Sequence, residues 1–245
     1  MSQPTEGQGP PRDQSPWTRP RFIASAAVVV VLAALGLVYL ALPSPSNGQD
    51  PAGVPSATAT ATSTAQAGQS ACGLPAGDQR YPSVGLPTKW ELLGRVAVPT
   101  DPKGIGPGRT DGSLRTCYQH SPTGALYAAA NIIGAGALPG GKALVLKNLT
   151  AKSPMRDQAL ATPSPNDAVD PSLSTQIGGF KIVSYSSDTA TVSIGLKTTQ
   201  DSHTAYGSAT YALRWEGGDW KVVLEDSTYS TSLTDLSGFV PWTGI

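Results

Sequence analysis

An uncharged apolar run near the N-terminus constrains this chain more than any other feature. The run covers 21 residues, 22–42, and a helix rising about 1.5 Å per residue would let it cross the roughly 30 Å hydrocarbon core of a bilayer. Arg12, Arg19 and Arg21 precede it, and no Lys or Arg follows until Arg80. The positive-inside rule therefore predicts a single-pass protein of the cell membrane, with a cytoplasmic N-terminus and an extracytoplasmic C-terminal domain.

A cleaved signal peptide is the alternative to an anchor. Signal-peptide cores usually span about 7–15 apolar residues and end at a small-x-small site. This run is longer, and it ends in Leu40-Ala41-Leu42, which is a poor cleavage site because both outer residues are leucines. A lipoprotein would need a cysteine directly after the run, and the first cysteine is Cys72. The sequence therefore favours an uncleaved anchor.

Composition divides the chain into four segments. Residues 1–21, rich in Pro, Gln and Gly, predict a disordered cytoplasmic tail ahead of the transmembrane helix at 22–42. Residues 43–70 are rich in Ala, Thr and Pro and have too few bulky apolar residues for a core, so they predict a disordered linker. Residues 71–245 have the usual size of one globular domain.

The charges of the chain balance, which bears on its partners. Lys and Arg together number 17, as do Asp and Glu, and residues 71–245 carry 14 of each. Nucleic-acid-binding surfaces rely on clustered Lys and Arg to neutralise phosphates, and the chain has no basic run. We therefore expect no direct nucleic-acid binding.

The two cysteines, Cys72 and Cys117, both fall outside the membrane in this topology. An extracytoplasmic pair predicts a disulfide, worth about 4 kcal/mol for a loop of this length. A metal pair or a redox pair is the alternative. A metal site would want four ligands with characteristic spacing, and redox pairs more often have C-x-x-C spacing.

Apolar periodicity predicts helices in the first half of the domain. After a strand at 90–98 and a loop rich in Gly and Pro, Ser121-Pro122 is a helix-start signal. Apolar residues at helical spacing then predict a helix at 123–133. Two shorter helices are predicted at 142–150 and 154–161.

The second half changes to a period of two, which predicts strands with one buried face. After a first strand at 180–185, the alternating apolar residues are Ala190, Val192, Ile194 and Leu196, then Ala209, Tyr211, Leu213 and Trp215, then Trp220, Val222 and Leu224. Gly217-Gly218 suits a tight hairpin turn. The predicted fold class is α+β: a transmembrane helix, a disordered linker and a domain of short helices packed on a curved four-stranded antiparallel sheet.

Three strings resemble segments of actinobacterial single-pass membrane proteins of conjugative and integrative elements. They are PTGALYAA at 122–129, LRWEGGDWK at 213–221 and LSGFVPW at 236–242. With helices, then a meander, behind one membrane span, the chain is also similar to the bitopic scaffold subunits of type IV secretion systems. Those subunits carry an extracytoplasmic domain of the nuclear-transport-factor-2-like (cystatin-like) fold. The resemblance implies a non-enzymatic assembly subunit and offers no catalytic residue and no cofactor.

Candidate catalytic groups each have a simpler structural interpretation. The string from Gly136 to Lys142 matches G-x-x-x-x-G-K, but it follows a helix and lacks the Ser or Thr that binds Mg²⁺, so we read it as a helix–helix loop. His120 and His203 could act in catalysis only with a nucleophile, and the sequence contains no G-x-S-x-G nucleophile elbow. Five carboxylates could pair as acid and base for glycan cleavage, but such a pair needs a defined separation inside a cleft: Asp111, Glu216, Asp219, Glu225 and Asp226. We predict no enzyme, no cofactor and no metal.

Aromatic residues are concentrated towards the C-terminus. Trp215 and Trp220 have equivalent phase in a hairpin and are expected to fill the core. Phe239 and Trp242 either fold back on the domain or, with Leu236 and Val240, form a partner-binding patch, because exposed aromatic anchors are typical of interface hot spots.

Three functions of different classes follow from these patterns. The first is a scaffold subunit of an envelope complex, such as a DNA-transfer apparatus, that binds other envelope proteins through sheet edges and its tail, with avidity from anchored copies in a homo-oligomer. The second is a ligand-binding module for a lipid or a cell-wall fragment. The third is an envelope hydrolase. A deep apolar cavity lined by the strand residues would favour the second, and a filled core the first.

Overall fold

The computed structural model describes residues 69–162 and 172–243, and of residues 228–230 only the backbone. The predicted cytoplasmic tail, the transmembrane helix at 22–42 and nearly all of the linker lie outside the described residues. Among the described residues, no helix combines the length and apolar character needed to cross a bilayer.

The folded part begins with two small hairpins. Their strands are β1 (Lys89–Leu93), β2 (Val96–Thr100), β3 (Arg109–Asp111) and β4 (Leu114–Thr116). β1 pairs antiparallel with β2, and β3 with β4. The predicted single strand at 90–98 is wrong, because the chain reverses at Gly94, whose φ of 63° lies in the left-handed region that favours glycine.

Three helices follow, all of them predicted. They are α1 (Pro122–Gly136), α2 (Gly141–Asn148) and α3 (Pro154–Ala161). α1 begins where the sequence signal places it: the Ser121 side chain accepts a hydrogen bond from the Gly124 amide, and Pro122 occupies the first turn. Ser153 caps α3 in the same way, by accepting from the Arg156 amide.

The main sheet is antiparallel and has six strands. They are β5 (Leu173–Tyr185), β6 (Thr189–Gln200), β7 (His203–Glu216), β8 (Asp219–Val222), β9 (Thr228–Leu233) and β10 (Val240–Pro241). The spatial order is β10-β5-β6-β7-β8, and β9 pairs with β7 beyond the end of β8. The β7–β8 turn is Gly217-Gly218, both with positive φ, as predicted.

The predicted fold class is therefore wrong in its description of the sheet, which has six strands rather than four. The four predicted strands correspond to β5 to β8. The sequence of β9, TYSTSL, lacks an alternation of apolar and polar residues, and β10 has only two residues. Neither segment therefore shows the period of two from which a strand is predicted. The two small hairpins were also missed as separate sheets.

α1 lies at the centre of the domain. Twelve of its 15 residues are buried, as expected of a helix that is apolar on all sides. It packs against β2, α2 and the main sheet. The inward residues predicted at the centre of the sheet are confirmed: Ile194, Leu213 and Trp220 are at most 1% exposed, whereas Leu196, Trp215 and Leu224 are only partly buried.

Candidate functional site

An apolar pocket lies between the helices and the main sheet. Its volume is about 450 Å³, within the roughly 300–1,000 Å³ range of small-molecule sites. α1 contributes Ile132, Ile133 and Gly136, α2 contributes Lys142, Val145 and Leu146, and the remaining wall is formed by Thr150, Leu196, Ala209, Tyr211 and Leu224. The strand residues in this wall are the inward residues that the period of two predicts.

Local sequence explains why the pocket has this shape. Lys142, Val145 and Leu146 stand at positions i, i+3 and i+4, so they share the face of α2 that looks onto the pocket. Opposite them, the sheet presents the small side chain of Ala209, and α1 ends in Gly136. Small residues at these two positions leave a space between the helices and the sheet.

The other end of the same layer is filled by large aromatic side chains. Trp220 is 1% exposed, and its indole N–H donates to the Gln119 carbonyl at 3.0 Å. Trp215 pairs with Trp220 across the hairpin, with ring centroids 5.1 Å apart, and it is partly buried. The expectation that both fill the core is confirmed for Trp220, and the pocket is confined to the end near α2.

Several pocket walls are open to water. Apolar residues Ile133, Val145, Leu196 and Leu224 are only partly buried although they pack against the core. The Thr150 hydroxyl is buried and donates to the Val145 carbonyl at 3.1 Å. An apolar ligand would cover these side chains, and binding would be stabilised by about 25 cal/mol for each Å² of apolar surface removed from water.

The two histidines are far from any nucleophilic arrangement. His120 stacks on Trp215, with centroids 4.0 Å apart, and its Nε2 is within hydrogen-bond distance of the Ser187 carbonyl, which can only accept. His203 begins β7 and is exposed beside the turn at Asp201. Each occupies a structural or surface position.

The disulfide between Cys72 and Cys117 is confirmed, with Cα atoms 6.0 Å apart. Neither sulfur is available as a nucleophile. The bridge ties the first described segment to the residues just before α1. Cys117 has a φ of 66°, an unusual backbone conformation for a residue other than glycine.

Asp219 explains how that backbone conformation is held. Its carboxylate is 4% exposed and accepts hydrogen bonds from the amides of Cys117 at 2.8 Å and Tyr118 at 3.0 Å. It also accepts from Trp220. Burial raises the pKa of Asp219, because desolvation outweighs the opposing effect of these amides and of Lys221. The predicted turn residue is therefore also a buried cap for the cysteine loop.

Of the remaining predicted acids, Asp111, Glu225 and Asp226 are exposed, unlike Asp219. Glu216 is the cross-strand partner of Asp219 and lines a surface cleft with it, but its carboxylate accepts from Arg214 and from the Lys152 amide. In the residues that the structure describes, no three His, Cys, Asp or Glu side chains gather as a metal site would require. The phosphate-loop match at 136–142 is a turn between α1 and α2, in which the Gly141 amide donates to the Leu138 carbonyl.

The C-terminal tail crosses the outer face of the sheet as a strap, residues 234–242. Its ends pair on opposite edges, β9 with β7 and β10 with β5. Between them, Leu236 and Phe239 lie over three glycines of β5 and β6: Gly178, Gly179 and Gly195. A Cβ on Gly179 would come within 2.9 Å of Phe239, so these glycines make room for the strap.

The strap ends with Trp242 inserted into the core. Trp242 is 3% exposed, and its centroid is 4.8 Å from that of Trp90 and 5.5 Å from that of Phe180. Its indole N–H donates to the Thr88 hydroxyl at 2.8 Å. Of the four residues predicted to bind a partner, Trp242 is thus folded back into the domain, whereas Leu236, Phe239 and Val240 are partly exposed. A partner contact at the strap stays a prediction.

The fold thus combines a buried helix, an antiparallel sheet packed against it and an apolar pocket between helices and sheet. The chain belongs to the family described as a domain of unknown function, DUF8175, whose model matches residues 51–241. No curated protein and no solved structure matches the chain significantly. The resemblance to conjugation proteins and to the nuclear-transport-factor-2-like fold therefore stays a prediction.

Sequence reasoning found the strand side of the pocket but missed the helical side. The alternation marked Leu196, Ala209 and Leu224 as inward residues without indicating that the space above them stays open. A signal was present in α2, where apolar residues recur at helical spacing after Lys142. It became informative only once the helix was placed against the sheet.

Proposed function

We propose that this domain is a binding module that holds an apolar small molecule, such as a lipid chain, in the pocket between α1, α2 and the main sheet. The observation that carries the proposal is the pocket itself: about 450 Å³ of space with a predominantly apolar wall. A pocket of this kind with few polar groups is the usual form of a site for an apolar ligand.

The engagement of the candidate catalytic groups supports binding rather than catalysis. Asp219 is committed to backbone amides, His120 to Trp215, and both cysteines to the disulfide. None of these groups lines the pocket. The proposed activity therefore needs no bond-making step and no cofactor.

We also propose that the domain works at the outer face of the cell membrane. The apolar run at 22–42 and the arginines that precede it support this placement. The disulfide supports an oxidising compartment, because such bonds persist mainly outside the cytoplasm. A membrane would also be a nearby source of apolar ligands.

A photo-crosslinking experiment tests the ligand-binding proposal. The full-length chain in membranes is irradiated with a diazirine-bearing long-chain alcohol, and labelled peptides are mapped by mass spectrometry. We expect label on residues 132–150 and 196–211, and loss of that label in Val145→Trp, which fills the pocket. Ala143→Trp is the matched control, because Ala143 is exposed on the same helix and does not line the pocket. Wild-type label spread evenly over the domain would refute the proposal.

The scaffold function is a second candidate, and the strap is the observation that favours it. Leu236, Phe239 and Val240 present partly exposed apolar surface on the outer face of the sheet, opposite the pocket. Envelope proteins, or other copies of this chain, could bind there. In-cell crosslinking followed by mass spectrometry should recover such partners, and Phe239→Ser should reduce the yield. Recovery of an unchanged partner set from Phe239→Ser would contradict this interface.

A further inference from the structure

We infer that the ligand is an amphiphile with one apolar chain and an anionic head group, and that Lys142 binds the head. This inference rests on the proposed ligand-binding function. It assigns the chemistry of the ligand from the one charged residue in the pocket wall.

Lys142 stands at the rim of the pocket. It shares one face of α2 with Val145 and Leu146, which line the wall, but its own side chain is exposed. A helical side chain leans toward the helix N-terminus, which here is the corner between α1 and α2 beside Gly136. The lysine stem can therefore cover apolar surface while the ammonium group stays in water at the entrance.

The charges around this entrance favour an anion. No Asp or Glu lines the pocket, and among the described residues Lys142 forms no ion pair. The other lysine of α2, Lys147, is exposed and lies outside the pocket wall. An anionic group at the rim would thus meet a single cation with no competing carboxylate of the wall.

The apolar interior fixes the orientation of such a ligand. An ionised head placed deep in the pocket would lose its hydration without a charged partner, which is strongly unfavourable. The chain therefore enters first, and the head remains at the rim, within reach of the lysine and of water. A carboxylate and a phosphate share this chemistry, and both head groups are tested.

The test compares two photoreactive probes of equal chain length, a fatty acid and a fatty alcohol, on the full-length chain in membranes. Label at residues 132–150 is measured as a function of probe concentration. We expect the acid to label the pocket at lower concentration than the alcohol. Lys142→Ala should raise the half-saturating concentration of the acid about three- to tenfold and leave that of the alcohol unchanged. Lys147→Ala is the matched control and should change neither.

A charge-conserving variant separates recognition from structure. Lys142→Arg should restore labelling by the acid, and Lys142→Glu should weaken it further than Lys142→Ala. Unlabelled fatty acid and unlabelled monoacyl phosphate, used as competitors, identify which head group binds more tightly. Pocket labelling that is equal for acid and alcohol and unaffected by Lys142→Ala would overturn this inference while leaving the binding function intact. Absence of pocket labelling by either probe would overturn both.

Discussion

Replacement of Asp219 should destabilise the domain more than any single change on its surface. The carboxylate is 4% exposed and accepts hydrogen bonds from three backbone amides, two of which belong to the cysteine loop. Asp219→Ala would leave these buried N–H groups without an acceptor. Asp219→Asn would keep one acceptor oxygen but direct an NH₂ group at an N–H donor.

The expected loss in the free energy of unfolding follows from the number of backbone amides that are left without an acceptor. A buried donor without a partner costs about 1–3 kcal/mol, and the amides of Cys117 and Tyr118 are both buried. Burial of the charged carboxylate is itself unfavourable, and this desolvation raises the pKa of Asp219. Removing the charge therefore offsets part of the loss of stability. We expect a loss of about 3–5 kcal/mol for Asp219→Ala and about 2 kcal/mol for Asp219→Asn, a large share of the roughly 5–15 kcal/mol that stabilises a typical domain.

Urea unfolding of the full-length chain in mild detergent, followed by tryptophan fluorescence, measures this loss as a lower midpoint at constant slope. Asp235→Asn is the control, because that carboxylate is exposed and accepts hydrogen bonds from the neighbouring Ser237. We expect the control to shift the free energy of unfolding by less than about 0.5 kcal/mol. A loss below about 1 kcal/mol in Asp219→Ala would refute the assignment of this carboxylate as a structural cap.

Three further predictions concern the disulfide, the strap and alkaline pH. Replacing both Cys72 and Cys117 with serine should lower the free energy of unfolding by about 4 kcal/mol, measured in urea, because the bridge closes a long loop. Trp242→Ala should cost about 3–5 kcal/mol and release the strap to proteolysis, and an unchanged digestion pattern would contradict its anchoring role. Burial raises the pKa of Tyr185 to about 12, against the opposing effect of its hydrogen bond to Gln79. The stability that this phenol contributes is therefore complete below pH 10 and is lost as the pH rises through 12. Tyr185→Phe should reduce the pH dependence of unfolding across this range, and Tyr118 and Tyr127, whose pKa values burial also raises, should account for the remainder.

Periodicity predicted most of the regular structure because it reports burial directly. The alternation in β6 to β8 marks which side chains face the core, and the start signal at Ser121-Pro122 reflects a local hydrogen bond that forms wherever the helix lies. The hairpin at 90–98 was missed because one glycine can reverse a strand without interrupting its apolar composition. β9 and β10 were missed because edge strands are held by backbone pairing, which leaves little trace in side-chain pattern.

The residues of the candidate site also divide into those that the sequence predicted and those that it could not predict. The sequence marked the cysteines as a pair, since two extracytoplasmic cysteines in one domain favour a bridge. It could not show that Asp219 turns inward to cap the cysteine loop, because that contact joins residues about 100 positions apart. Nor could it choose between a docked and a folded-back tail, because the same aromatic residues suit both.

The sequence by itself determined the apolar run at 22–42, the positions of the helices, the buried faces of the central strands and the cysteine pair, since each depends on residue type and local spacing. The tertiary structure alone decided that the strap closes over Gly178, Gly179 and Gly195 and that a pocket remains beneath α2. Both depend on how closely distant elements approach. That distance is set by the sizes of side chains that meet only in the folded chain.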